Sequence, residues 1–180
     1  MYTDEELLAL LQNPERQRNV FEAIVRQYSE QLYWTIRRMV LSHDDANDVL
    51  QNTLLKAWNG LSTFHGESKL STWLSRIAIN ESVDFLRRQK ARATLSTDDD
   101  SGLANTLLAD EYFDGDETQA LLQEAVAKLP DVQRTVFQLR YFEDMKYSEM
   151  SRMLNTSEGS LKASYHIAVR KISDFFKSHD

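Results

Sequence analysis

The stretch YSEMSRMLNTSEGSLKASYHIAVRKI, residues 147–172, predicts two helices joined by a tight turn. Ser148 is the expected N-cap of the first helix, because a serine hydroxyl accepts hydrogen bonds from early helical N–H groups. Asn155 follows that helix and tolerates the left-handed backbone that a tight turn requires. Ser157 is the expected N-cap of the second helix, and Glu158 favours its positive N-terminal end. Two helices joined in this way form a helix-turn-helix.

The second helix has an outward face that suits the major groove of DNA. Its inward stripe is expected to consist of Leu161, Tyr165, Ala168, Val169 and Ile172. The outward and flanking positions are Ser160, Lys162, Ala163, Ser164, His166, Ile167, Arg170 and Lys171. Small residues let the backbone approach a duplex, and basic residues meet phosphates. On periodicity alone, a generic bundle corner with a solvated basic face is the alternative.

Apolar patterns with helical spacing fill most of the 180 residues, so the chain is predicted to be all-α. Glycine (5) and proline (2) are scarce, which favours long helices. There is no cysteine, which excludes disulfides, thiol catalysis and zinc fingers. The sequence shows neither a signal-peptide pattern nor an apolar run of about 18 residues. We therefore expect a cytoplasmic protein with no direct membrane insertion.

The acidic residues are concentrated in one segment of a chain whose net charge is −7. Residues 1–90 sum to −1, residues 91–118 to −7 and residues 119–180 to +1. The middle segment lacks helical periodicity, and its like charges resist compaction. We therefore predict two small helical domains, 1–90 and 119–180, joined by an acidic linker, 91–118. The linker is either a solvated spacer or, because apolar side chains alternate with its acids, a segment that docks on a partner.

The N-terminal domain contains a loop followed by a basic helix. The loop carries Phe64 and His65, and the helix carries Arg76, Asn80, Arg87 and Arg88. Aromatic side chains beside a basic surface suit single-stranded DNA, which needs stacking and phosphate neutralisation. The alternative is that the aromatic residues are core and the arginines a solvated helix end; for Trp73 we expect the core. An earlier helix places Asp45, Asp48, Gln51, Asn52 and Lys56 on or near one polar face.

At these residues the chain resembles a bacterial RNA polymerase sigma factor of the extracytoplasmic-function (ECF) type, in the sigma-70 family. DANDVLQNTLLKAW, residues 45–58, resembles the helix that grips the clamp of the polymerase beta-prime subunit. FHGESKLSTWLSRIAINESVDFLRRQK, residues 64–90, resembles the part that melts and reads the minus-ten element. Residues 147–172 resemble the part that reads the minus-thirty-five element.

The resemblance implies a role for each surface. For polymerase binding it implies Asp45, Asp48, Gln51, Asn52 and Lys56. For the minus-ten element it implies Phe64, His65, Lys69, Arg76, Asn80, Arg87 and Arg88. For the minus-thirty-five element it implies Ser157, Ser160, Lys162, Ala163, Ser164, His166, Ile167, Arg170 and Lys171. Capture of an unstacked base by the loop costs a few kcal/mol of unstacking, which pocket contacts offset.

The resemblance also implies partners. They are core RNA polymerase, through its beta-prime clamp and its beta subunit, promoter DNA and a possible anti-sigma factor. The acidic linker would thread the polymerase's RNA channel. Two departures from the family pattern concern DNA reading: a basic residue is usual where Ser164 and Ile167 stand, and a glycine is frequent where Asn155 stands. Ile167 is suited to touching a thymine methyl group instead.

Two other functions compete with this one. An ordinary helix-turn-helix regulator would bind duplex DNA without polymerase, as a dimer on paired half-sites. An enzyme would need a constellation that the chain lacks, such as a phosphate-cradling glycine loop, a nucleophile beside its base or a His-Glu-x-x-His motif. A divalent cation at His43, Asp44 and Asp45, or at Asp98–Asp100, is disfavoured, since acids at helix starts and in linkers usually serve as plain charge. We therefore expect no enzymatic activity, no cofactor and no metal.

Overall fold

The computed structural model describes residues 2–93 and 117–179, which are helical and contain no strand. The chain divides into two compact units, Met1–Arg37 with Asp44–Ala91, and Arg38–His43 with Arg92–Asp180. The prediction of an all-α chain is confirmed. Most of the predicted acidic linker, residues 94–116, lies outside the described residues, and the domain limits at 90 and 118 stay a prediction. Within the described ranges, none of the helices is both long enough and apolar enough to span a membrane.

The first unit holds all or nearly all of four helices: α1 (Asp4–Leu11), α2 (Gln17–Val40), α3 (His43–Gly60) and α4 (Leu70–Ala93). Short 3₁₀ turns at Pro14–Arg16 and Leu61–Thr63 follow α1 and α3. Each helix contributes buried side chains at helical spacing, among them Leu7, Ile24, Leu32, Ile36, Ala46, Val49, Ala57, Leu70, Leu74 and Ile79. These apolar stripes form the core because they lie on one side of each helix.

Helix α1 was missed from the sequence. Thr3 and Glu6 form a capping box, in which Thr3 Oγ1 accepts a hydrogen bond from the Glu6 N–H at 3.2 Å. The Glu6 carboxylate accepts one from the Thr3 N–H at 2.8 Å. The spacing Thr-x-x-Glu before an apolar run is the signal that predicts such a helix start.

The second unit contains α5 (Glu117–Ala127), α6 (Asp131–Phe137), α7 (Tyr147–Leu154) and α8 (Glu158–Lys177). A π-helical turn, Gln138–Phe142, extends α6. The core of the second unit includes Ala125, Val126, Leu129, Phe137, Ala168 and Ile172. Arg134 is buried and donates to the Leu129 carbonyl at 2.9 Å and to the Asp131 carboxylate at 2.6 Å. These bonds close the turn between α5 and α6.

The predicted turn between α7 and α8 is confirmed. Asn155 ends α7 with φ 49° and ψ 47°, in the left-handed region. Ser157 caps α8, since its hydroxyl accepts a hydrogen bond from the Ser160 N–H at 3.2 Å. The predicted cap at Ser148 is wrong, because α7 begins at Tyr147, two residues earlier than that cap implies, and Lys146 occupies the N-cap position.

The prediction that Val169 belongs to the inward stripe of α8 is also wrong. Val169 is 40% exposed, whereas Leu161, Ala168 and Ile172 are buried and Tyr165 is half-buried. The buried positions are spaced by about one or two helical turns, and Val169 lies about 100° around the helix from Ala168. The stripe is therefore narrower than the run of apolar residues indicates.

Candidate functional site

The recognition helix α8 presents its predicted outward row to solvent. Seven of the eight predicted outward and flanking residues are exposed, and Ser164 is half-buried. Within the described residues, the cationic groups of Arg170 and Lys171 form no ion pair. Ile167 is 44% exposed, an apolar side chain in an otherwise polar or small row. A row of free cations and small side chains on the second helix of a helix-turn-helix suits a DNA groove.

An aromatic and cationic cluster at the start of α7 was missed from the sequence. The Lys162 ammonium lies 5.6 Å from the centre of the Tyr147 ring, and the Arg140 guanidinium lies 5.3 Å from it. Arg140 is also held by the Asp144 carboxylate and the Met145 carbonyl, each at 3.2 Å. Cations near a tyrosine ring are attracted to its face, so the cluster fixes the position of Lys162 beside the turn. The three residues are far apart in sequence, which hid the cluster.

The loop between α3 and α4 is built on two stacked aromatic rings. The Phe64 and Trp73 ring centres lie 4.8 Å apart at an interplanar angle of 27°. Both residues are half-buried, and Trp73 lies close enough to Gly60 that a β-carbon there would be 3.1 Å from its Cζ2. Trp73 is therefore a packing residue that covers one face of Phe64, but it is half-buried and not the core residue expected. His65, which follows, is exposed.

Helix α4 carries the predicted basic face. Arg76, Asn80, Arg87 and Arg88 are all exposed, as is Lys69 at the end of the loop. Arg76, Asn80 and Arg87 are spaced by four and seven residues, which places them on one side of a helix. Arg87 lies 3.5 Å from the Asp84 carboxylate, an exposed pair that holds it weakly. The loop and this face are adjacent along the chain, as single-strand binding requires.

The predicted polar face of α3 is exposed in its middle. Asp48, Gln51 and Asn52 are exposed, and Asp45 is half-buried. Among the described residues, the Asp48 carboxylate makes no hydrogen bond or ion pair. This leaves an uncompensated negative charge flanked by amides, a surface suited to a basic partner.

Lys56 has a structural role that the sequence did not indicate. Its ammonium pairs with the carboxylate of Glu81 on α4, and Glu81 is buried. Removal of Lys56 would leave a buried carboxylate without its cation, at a cost of about 2 kcal/mol. Any measured effect of Lys56 on a partner therefore includes an effect on the fold.

Two large apolar residues on α3 are exposed, which was not predicted from the sequence. Leu55 is 61% exposed and Trp58 is 41% exposed, although both are large. They follow Asp48 and Asn52 at helical spacing and continue the same side of α3. The Trp58 ring packs edge-on against Phe21, with ring centres 5.1 Å apart. Exposed apolar residues beside an acidic row are typical of a protein-binding surface.

The structure brings no metal-binding group together in the described ranges, which include His43, Asp44 and Asp45. The other candidate, Asp98–Asp100, lies outside the described residues.

Comparisons with known proteins cover both units. Residues 24–92 match the family Sigma-70 region 2, and residues 119–172 match Sigma-70, region 4. The chain is 30% identical over 157 residues to the ECF RNA polymerase sigma factor SigW of Bacillus subtilis, covering 82% of this chain and 84% of that protein. It is 30% identical over 161 residues to the ECF RNA polymerase sigma factor SigM of Mycobacterium tuberculosis, covering 89% of this chain and 78% of that protein.

The fold is also similar to solved structures. One is the sigma factor RpoE from Bartonella quintana in complex with the anti-sigma factor NepR, with a TM-score of 0.64, 21% identity, and coverage of 87% of this chain and 96% of that chain. Another is CnrH in complex with the cytosolic domain of CnrY, with a TM-score of 0.58, 22% identity, and coverage of 98% and 99%.

Proposed function

The chain belongs to the sigma-70 family as a sigma factor of the ECF type, and we propose how its surfaces divide the work of starting transcription. As a sigma factor it binds core RNA polymerase and directs promoter recognition, DNA opening and transcription initiation. The observation that carries the assignment of surfaces is the outward row of α8, where exposed small and basic residues follow a capped turn. The remaining surfaces take the other roles.

The helix-turn-helix reads the minus-thirty-five element as duplex DNA. Ser157, Ser160, Lys162, Ala163, Ser164, His166, Ile167, Arg170 and Lys171 line the approach. Arg170 and Lys171 neutralise phosphates, and the small residues admit the backbone of α8 to the groove. Arg140 and Tyr147 join them, because their cluster lies beside Lys162.

The loop and α4 open and read the minus-ten element. The Phe64–Trp73 stack forms a firm base, and the exposed His65 meets an unstacked nucleotide. Lys69, Arg76, Asn80, Arg87 and Arg88 follow the strand's phosphates. Phosphate contacts dominate affinity, and the units have few basic residues to spare. Binding of promoter DNA by the free protein is therefore weak, and polymerase must bring the surfaces to the DNA.

The polar face of α3 docks on the beta-prime clamp. It consists of Asp45, Asp48, Gln51 and Asn52, with Lys56 at its edge. Leu55 and Trp58 extend this surface with apolar area. The acidic linker, with limits at 91 and 118, occupies the polymerase's RNA channel, and the beta subunit receives the C-terminal domain, 119–180. An anti-sigma factor that covers Asp48 would block docking. The protein acts in the cytoplasm, without enzymatic activity of its own, since the polymerase supplies the chemistry.

The first experiment is size-exclusion chromatography of the protein with sigma-free core polymerase, followed by transcription from a library of random promoters. We expect co-elution and transcripts from promoters that share a two-part motif. Failure to co-elute, together with tight sequence-specific binding of duplex DNA by the free protein, would instead establish the ordinary helix-turn-helix regulator.

A second experiment tests the docking surface. Asp48→Arg reverses the unpaired charge of α3 and should abolish co-elution with polymerase while the circular-dichroism spectrum stays unchanged. Glu30→Arg makes the same charge change at an exposed position of α2 and is the matched control. Normal polymerase binding by Asp48→Arg would refute the assignment of this face.

A further inference from the structure

The carboxylate of Asp4 joins three helices of the first unit. Its Oδ1 accepts a hydrogen bond from the Tyr28 hydroxyl on α2 at 2.6 Å. Its Oδ2 accepts one from the Leu70 N–H at 2.8 Å. Leu70 is the first residue of α4, directly after the loop that carries Phe64 and His65. A residue of α1 therefore supplies a cap for a helix that begins 66 residues later.

The local sequence at the start of α4 lacks an equivalent acceptor. Lys69 precedes the helix, and a lysine ammonium only donates hydrogen bonds. The Ser68 hydroxyl donates to the Lys69 carbonyl at 3.3 Å rather than accepting from a helical N–H. The first N–H groups of a helix have no partner within it, and a carboxylate at that end is favoured. The Asp4 carboxylate, which belongs to α1, is the acceptor at the start of α4.

Helix α1 also touches the loop itself. Gly66 has φ +77°, and a β-carbon there would lie 3.2 Å from Leu8 Cδ1. The loop backbone thus passes against α1 at a position where only glycine is unstrained. Leu7, the residue before Leu8 in α1, is fully buried in the unit's core and anchors the helix.

The hydroxyl that holds Asp4 is fixed in turn. Tyr28 is 8% exposed, and its hydroxyl also accepts a hydrogen bond from the Gln27 amide at 3.2 Å. The same Gln27 amide donates to the Tyr2 carbonyl at 3.0 Å, which ties the start of the chain to α2. Burial and the bond to Asp4 raise the pKa of Tyr28 to about 12, so the hydroxyl keeps its proton well into the alkaline range.

We propose that Asp4 is a positioning residue for promoter opening: by capping α4 from α1, it fixes the exit of the loop that captures the minus-ten base. Asp4 itself does not contact DNA in this proposal. It acts through Leu70 and the loop backbone, which set where His65 and the Phe64–Trp73 stack stand relative to the basic face of α4. The proposal rests on the minus-ten role of the loop.

The test uses polymerase holoenzyme assembled with Asp4→Asn, which keeps the size of the side chain and removes its charge. Ile24→Val, in the core of α2, loses a buried methylene and serves as the control for a general loss of stability. The readouts are affinity for a single-stranded minus-ten oligonucleotide, open-complex formation on a promoter from the library, and exchange of the Leu70 amide proton.

We expect Asp4→Asn to leave polymerase binding unchanged, to speed exchange at Leu70, and to weaken oligonucleotide binding and opening by about tenfold, as a lost cap interaction predicts. Ile24→Val should match wild type in both DNA assays. Equal loss in both variants, or wild-type opening by Asp4→Asn, would overturn the proposal. If wild-type holoenzyme itself fails to bind the oligonucleotide, the minus-ten assignment of the loop is refuted instead.

Discussion

The turn between α7 and α8 and the loop between α3 and α4 both present proposed DNA contacts, but they are held by different kinds of interaction. The turn is fixed by bonds between near neighbours, such as Thr156 N–H to the Ser151 carbonyl at 3.3 Å. The loop is fixed by residues remote in sequence, above all Asp4 and Leu8 of α1. Changes far from the loop should therefore disturb it, whereas the turn should respond only to changes within its own helices.

Truncation of Leu7 should give the largest loss of stability and the clearest difference in amide exchange between the loop and the turn. Leu7 is fully buried, so Leu7→Ala should lower the free energy of unfolding of the first unit by about 3 kcal/mol. All three tryptophans lie in residues 1–90, so their fluorescence in urea reports on that unit. Amide exchange should rise in residues 61–70 and stay unchanged in residues 155–160.

Leu55→Ala is the control for Leu7→Ala, since Leu55 is 61% exposed and its truncation should cost less than about 0.5 kcal/mol. A loop that kept its exchange rates in Leu7→Ala would show that α1 does not hold it, and the contrast between the two regions would fail.

The same contrast explains what could be predicted from the sequence. The turn follows from caps and a left-handed residue a few positions apart, so Asn155 and Ser157 were identified correctly. The cap on Leu70 could not be predicted, because nothing near residue 70 indicates an acceptor and nothing near residue 4 indicates that Asp4 reaches α4. The outward row of α8 followed from helical spacing. Val169 was misplaced because a run of apolar residues does not show how wide the buried stripe is.

The pairing of Tyr28 with Asp4 should make the first unit sensitive to alkaline pH. The folded protein keeps the Tyr28 proton up to a pKa of about 12, whereas the unfolded chain releases it near the ordinary 10. Between those values the unfolded state binds fewer protons, so the stability contributed by Tyr28 is complete below pH 10 and is lost as pH rises to 12. The loss should be about 2 kcal/mol.

The measurement compares wild type with Tyr28→Phe in urea, by tryptophan fluorescence at pH 8 and pH 11.5. The difference between the two proteins should shrink at the higher pH, since Tyr28→Phe has no hydroxyl to titrate. The comparison is needed because burial also raises the pKa of Tyr165 in the second unit. A constant difference across the range would mean that the hydroxyl does not hold Asp4 in solution.

Substituting one left-handed residue in each region, Gly66 in the loop and Asn155 in the turn, should separate a remote constraint from a local one. Gly66→Ala places a β-carbon at φ +77° and against Leu8, so the first unit should lose roughly 1–2 kcal/mol. Glycine adopts the left-handed conformation without strain, so Asn155→Gly should change the free energy of unfolding by less than about 0.5 kcal/mol. Urea unfolding followed by tryptophan fluorescence measures the first variant, and amide exchange in α8 measures the second. A neutral Gly66→Ala would indicate that the loop is free to move away from α1.

The smallest predicted effect concerns base recognition by α8, tested with variants that leave the turn unchanged. Ile167 is 44% exposed in the outward row, where it can cover a thymine methyl group, a contact worth about fourfold in affinity. Replacing thymine by deoxyuridine removes only that methyl group. At one or two minus-thirty-five positions, this replacement should weaken binding of the wild-type holoenzyme by about fourfold and should have no effect on Ile167→Ala. Val169→Ala, an equally exposed position on another side of the helix, should keep the wild-type response. If Ile167→Ala retained the deoxyuridine effect, the methyl contact would belong to another residue, and the specificity of α8 would not follow from its outward row.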